Sequence, residues 1–224
     1  LFLVLTFSFV NAANITSAGS GNWTDGTTWV GGVAPTAADN VIIAAGHIVT
    51  VTVSTSIINL NLNSTTSKLI INNSQILTIT GTFLNSGTTT NGVNGPGTLL
   101  FTGTASFGVL TPTGVLPNVV VGNGASNNTV TVGVSTSLNN LNVNIGATIS
   151  LGTRTLTING FFTNNGTVTG TSGRLTTFTG ASTNNGSINL TSGRITLTTG
   201  SFTNNGSISM LTGRLIQTTG SIIN

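Results

Sequence analysis

Side chains able to do acid–base, nucleophilic or ionic chemistry are few enough to name in full. Two carboxylates (Asp25, Asp39), one imidazole (His47), one amine (Lys68) and four guanidiniums (Arg154, Arg174, Arg194, Arg214) make up the charged and imidazole set, and Cys and Tyr are absent. Glycoside hydrolysis generally needs paired carboxylates flanking the bond. Asp25 and Asp39 are the one pair available, and both fall among turn residues, where Asp39 ahead of Asn40 reads as an acceptor for turn amides. A calcium-assisted lyase would need clustered acids, which are missing. His47 follows Ala45-Gly46 with no Cys, Glu or second His beside it, so it is not read as a metal ligand. No catalytic, cofactor-binding or metal-binding residue is assigned, and the chain is expected to be non-enzymatic.

The one charged constellation is a recurrence. Arg174, Arg194 and Arg214 lie 20 residues apart, each after Gly and before an aliphatic residue, with Arg154 at the same spacing but in a shifted neighbourhood. They are candidate surface-interaction residues, either a solubilising edge or a row for anionic glycans or a neighbouring subunit. Like charges stacked about 4.8 Å apart repel by only about 0.9 kcal/mol in water, which exposed side chains tolerate. The net charge of +3 rests on five basic residues with no Tyr and few aromatics beside them, so nucleic acid is not an expected partner.

What positions the arginines is a repeat. Residues 161–180 (FFTNNGTVTGTSGRLTTFTG), 181–200 (ASTNNGSINLTSGRITLTTG) and 201–220 (SFTNNGSISMLTGRLIQTTG) follow one another without insertion. A 20-residue unit of short strands, with Gly and Asn at its breaks, predicts a coil that buries its apolar face only by stacking on its neighbours. Read as columns, the blocks predict inward ladders Val168–Ile188–Ile208 and Leu175–Ile195–Leu215, and a third, Phe162–Ser182–Phe202–Ile222. Asn164, Asn184 and Asn204 form a structural ladder in which amides bond from rung to rung, as do Asn165, Asn185 and Asn205. The Gly after each Asn pair is expected to give the corner a positive φ. Residues 74–87 (SQILTITGTFLNSG) read as a looser copy of 153–166 (TRTLTINGFFTNNG).

Composition agrees. Only 3% of residues are charged, against roughly 25% in a typical globular protein, while 38% are hydrophobic. That combination excludes disorder. Thr, Ser, Asn and Gly in place of Lys and Glu disfavour helices, and alternating Val, Ile and Thr favour strands. The expected class is all-β, a β-solenoid or parallel β-helix of about 20 residues per coil. Leu1 to Val10 (LFLVLTFSFV) followed by Asn11-Ala12-Ala13 reads as the apolar core and cleavage site of a secretory signal, or else as a retained apolar strand. Ten residues are too few for stable membrane insertion. The expected organisation is 1–13 as that segment, 14–50 as an N-terminal cap with the first coils, 51–160 as irregular coils, and 161–224 as regular coils.

Gly21-Asn22-Trp23, Trp29-Val30-Gly31-Gly32-Val33-Ala34-Pro35, Asp39-Asn40-Val41 and Ala45-Gly46-His47 resemble the opening of secreted Bacteroidota repeat proteins and of the G8 type of β-helix domain. The later Thr/Asn/Gly coils are similar to adhesin-like surface β-helix proteins, many exported by the type IX route. That family usually ends in a compact sorting domain, whereas this sequence closes within a repeat, leaving a longer chain or another export route open. The resemblance implies a right-handed helix, a secreted or cell-surface location, and Trp23 and Trp29 as the N-terminal cap. The expected function is an extracellular fibre, stalk or surface filament built by head-to-tail self-stacking. The alternative is an adhesin for polysaccharides or surfaces. Ice binding ranks lower, because Thr179, Thr199 and Thr219 align while the positions two before them read Thr177, Leu197 and Gln217.

Overall fold

The computed structural model describes residues 12–86, 92–107, 114–124, 128–177 and 180–224. The apolar run Leu1–Val10 lies outside them. The fold is an all-β solenoid of parallel sheets with about 20 residues per turn. Short runs of alternating apolar and small polar residues form three- or four-residue strands. Gly, Asn or Ser then turns the chain onto the next face of the coil.

Each full turn visits three faces in order. The first carries Asn14–Thr16, Asn40–Ile43, Asn59–Leu62 and Phe83–Asn85, then Ala105–Phe107, Thr129–Val132, Thr148–Ser150, Thr167–Gly170, Ser187–Leu190 and Ser207–Met210. The second runs from Gly21–Asn22 through Ile48–Val51 and Lys68–Ile71 to Gly92–Asn94, and resumes at Thr136–Leu138 through Thr155–Ile158, Arg174–Thr177 and Arg194–Leu197 to Arg214–Gln217. The third is one nine-stranded sheet from Thr55–Ile57 to Ser221–Ile223. Every strand pair between coils is parallel; the only antiparallel bridge among the described residues joins Ser17 to Trp29.

The core is continuous from the tryptophans to Phe202 because parallel register places like residues on like. On the third face Ile57, Ile79, Phe101, Val121 and Val143 stack in one inward column. Leu77, Leu99, Val119, Leu141, Phe162, Ser182, Phe202 and Ile222 stack in the neighbouring one. Val168 and Ile188 are fully buried with Ile208 half-buried above them, and Leu175 and Ile195 are fully buried beneath Leu215. Leu215 is 39% exposed because no coil of this sequence covers that rung.

Two sequence expectations need correction. Gly166, Gly186 and Gly206 do not take positive φ; that conformation occurs at other glycines, such as Gly46 and Gly146. They are glycine for room. A Cβ on Gly186 would overlap the carbonyl oxygen of Gly166 one coil below, and one on Gly206 would overlap that of Gly186. Residues 74–87 are also not the positional equivalent of 153–166. Ile76–Ile79 lies on the third face, whereas Thr155–Ile158 lies on the second, so the similar segments are rotated by one face.

Candidate functional site

The N-terminal cap gathers most of the chain's acid–base groups. Trp23 and Trp29 are 1% and 2% exposed and meet edge to face, with ring centroids 5.1 Å apart and planes at 72°. Trp29 Nε1 donates to Trp23 O at 2.8 Å, while Trp23 Nε1 is buried without a partner. Thr28–Val30 runs along the edge of the first strand: Ala18 N donates to Thr28 O and Val30 N to Thr16 O. That contact occupies backbone groups an edge strand would otherwise offer to another chain. Both rings are packed away, so neither presents a face on which a sugar could stack.

Both aspartates serve turns in this cap. Asp25 accepts from Thr27 N at 2.9 Å and Thr27 Oγ1 at 2.8 Å, and the backbone bond holds its carboxyl below the ordinary carboxylate range. Asp39 accepts from Thr36 N, Thr36 Oγ1 and Ala13 N, tying the loop before the second coil to the start of the first. Its pKa is lowered chiefly by the Thr36 amide, against the opposing effect of burial. Asp39 keeps only 8% of its surface, but three donors serve its carboxylate, so hydrogen bonding decides the direction. His47 is paired with Ser17: Nδ1 lies 2.8 Å from Ser17 Oγ, which also accepts from Ala44 N. This arrangement resembles a nucleophile–base pair only in its atoms. Ser17 is 3% exposed, and its oxygen already serves a backbone amide. No three His, Asp or Glu side chains gather as a metal-ligand set among the described residues.

The asparagine ladder begins directly on the aliphatic column. Val143 pairs with Asn164, Asn164 with Asn184, and Asn184 with Asn204. Asn164 Nδ2 donates to Asn184 Oδ1, and Asn184 Nδ2 to Asn204 Oδ1, both at 2.7 Å; each amide also donates at 3.1 Å to a backbone carbonyl across the corner, Ser187 O or Ser207 O. Because Val143 offers no donor, Asn164 Oδ1 is buried without a partner. The outer ladder runs the other way, with Asn185 donating to Asn165 at 2.8 Å and Asn205 to Asn185 at 2.9 Å. Two further ladders had no regular spacing to reveal them: Asn59 to Asn40 to Asn14, and Asn139 with Asn140 to Asn118.

The surface rows differ by face. Arg174, Arg194 and Arg214 are in register on the second face, beside a trough of about 220 Å³ that Ser172, Ser192 and Thr212 also line. Arg154 is outside the row: Thr155 pairs with Arg174, and the Arg174 amide donates to Arg154 O at 2.8 Å. Thr177, Leu197 and Gln217 are in register, but Leu197 points into the core, so no second outward Thr column exists there. Paired columns, hydroxyl-bearing at every rung except Asn189, occur instead on the first face. Thr129, Thr148, Thr167, Ser187 and Ser207 form one outward row, and Thr131, Ser150, Thr169, Asn189 and Ser209 the other. The signal lay in triplets of two small polar residues about an aliphatic one (TVT, TIS, TVT, SIN, SIS) one coil apart, which an alignment anchored on Arg and Asn does not display.

These features define a β-solenoid repeat protein. Comparison with protein-family models, curated proteins and solved structures finds no match. No helix among the described residues is long and apolar enough to cross a membrane.

Proposed function

We propose that this chain is a non-enzymatic extracellular scaffold, a stiff segment of a fibre, stalk or surface filament. The observation that carries this reading is the single continuous core running through stacked parallel coils. Such a rod resists bending because its coils are joined by parallel sheets, the third face running without a break through nine strands. Both carboxylates and the one imidazole are engaged in hydrogen bonds of the N-terminal cap, which favours a structural role over a reactive one. Secretion is supported by the signal-like composition of Leu1–Val10. Coil Ser207–Ile223 leaves strand edges and Leu215 uncovered, and another coil, from a longer chain or from a second copy, fits there. Because Thr28–Val30 covers the edge of the first strand, a second copy would join through Leu1–Val10 as a donor strand where that run is retained rather than removed as a signal. Electron microscopy of native material, with its intact mass, tests the reading. Long uniform rods in the extracellular fraction support it, and a compact intracellular particle would refute it.

A second reading, adhesion to an ordered surface, is favoured by the hydroxyl rows on the first face. Rungs there repeat at about 4.8 Å along the axis and about 6.6 Å across it, a flat uncharged lattice that suits ice or a crystalline glycan. Thermal hysteresis and partition into growing ice, measured before and after Thr167→Lys, separate this reading from a purely mechanical one.

A further inference from the structure

We propose that the arginine row of the second face is a binding track for a linear polysaccharide carrying one anionic group per sugar, laid parallel to the solenoid axis. Arg174, Arg194 and Arg214 project from consecutive rungs, so their backbone origins advance by about 4.8 Å per coil. One sugar of an extended chain advances by a similar length, and the long arginine side chains can reach carboxylates that turn about the chain axis from one sugar to the next. None of the three guanidiniums has a hydrogen-bond or ionic partner among the described residues; only their backbone amides are paired, to the coil below. The chain's only two carboxylates, Asp25 and Asp39, lie in the N-terminal cap, roughly 30 Å of stacked coils away. That distance exceeds the screening length at physiological salt, about 8 Å, so the row's positive potential is uncompensated by the protein.

Besides the arginines and Gly193, the trough is lined only by hydroxyl-bearing residues, Ser172, Ser192 and Thr212. Hydroxyls exchange hydrogen bonds with sugar hydroxyls, and guanidiniums bind carboxylates through two parallel N–H bonds. No aromatic side chain lines the trough, so it lacks the stacking platform that single-stranded nucleic acid uses. The site is independent of the scaffold reading and stands whether the chain is a fibre segment or a free rod.

The test is a binding titration of the full chain with polygalacturonate oligomers at low salt, with neutral dextran and a single-stranded oligonucleotide as comparisons. Polygalacturonate is expected to bind, to weaken steadily with added salt, and to lose about tenfold or more in affinity in the Arg174→Gln/Arg194→Gln/Arg214→Gln variant. The corresponding triple Lys variant is expected to retain part of the affinity, because it keeps the charge and loses the fork. Should the triple Gln variant fold poorly, Arg194→Gln alone is expected to weaken binding and flatten its salt dependence. Unchanged affinity in the Gln variants, equal binding of dextran, or tighter binding of the oligonucleotide would each overturn the proposal.

Discussion

Replacing Asn184 by Val should destabilise the solenoid more than replacing Asn164 by Val, although both side chains are fully buried in the same ladder. Asn184 accepts from Asn164 at 2.7 Å and donates to Asn204 at 2.7 Å and to Ser207 O at 3.1 Å. At about 1 kcal/mol net for each bond, its loss costs about 3 kcal/mol and interrupts the ladder in the middle. Asn164 donates two bonds, but its own Oδ1 is already an unpaired buried acceptor stacked on Val143. Val at 164 extends the aliphatic column by one rung and moves the unpaired acceptor from Asn164 to Asn184. The orphan count is unchanged, so the expected loss is that of the two donated bonds, about 2 kcal/mol. The difference of roughly 1 kcal/mol corresponds to about 2–4 °C in melting temperature for a chain of this size. Thermal and urea unfolding followed by far-ultraviolet circular dichroism measure it. Equal losses, or a larger one at Asn164, would refute the account of where the ladder starts.

Ile195→Asp, placing an unpaired carboxylate between Leu175 and Leu215, is expected to abolish cooperative unfolding of the last coils, whereas Arg194→Gln leaves the melting curve nearly unchanged; similar curves would mean the faces are misassigned. Gly186→Asn should cost about 1–3 kcal/mol, since the added Cβ meets Gly166 O; a neutral result would restore the positive-φ explanation, because Asn tolerates that conformation. Trp29→Phe should lower stability by about 1 kcal/mol through loss of the bond to Trp23 O, while Trp23→Phe removes an unpaired buried donor and costs less. Hydrogen bonds hold the folded pKa values of Asp25 and Asp39 below the ordinary carboxylate range, so their contribution is present above the unfolded carboxylate pKa and lost as pH falls through the folded one; a pH scan of stability should be flat near neutrality and fall only below about pH 4.

The period and the inward columns were legible because both follow from one-dimensional stacking: Val168, Ile188 and Ile208 are 20 residues apart in sequence and one rung apart in space. Which face a segment occupies was not legible where coil lengths vary. Ile76–Ile79 and Thr155–Ile158 share an alternating strand followed by a glycine corner, and that pattern is equally good on any face. Corner glycines present the same difficulty. Positive φ and lack of room both select Gly, and only the neighbouring coil distinguishes Gly46 from Gly186. The pairing of His47 with Ser17 and the Asn14–Asn40–Asn59 ladder depend on coils of unequal length, so no fixed interval announces them.

The scarcity of charge follows from the architecture. Stacking in register turns any residue into a row of itself, so a single charged position repeated over several coils becomes a line charge. Each neighbouring pair adds about 0.9 kcal/mol of repulsion in water at the rung spacing. Screening over about 8 Å limits the sum to near neighbours but does not reverse its sign. Amides and hydroxyls respond to the same repetition in the opposite way. Asn185 bonds to Asn165, and Ser207 Oγ to Ser187 Oγ, so repetition is neutral or favourable for them. A surface of Asn, Ser and Thr is therefore what a long solenoid can repeat without cost. The arginine row departs from that rule over three rungs and has no carboxylate beside it to relieve it. An anionic chain laid along the row would change its neighbour-to-neighbour repulsion into alternating attraction. The gain would grow with each rung engaged, so affinity should rise with the length of the anionic oligomer until every arginine is occupied.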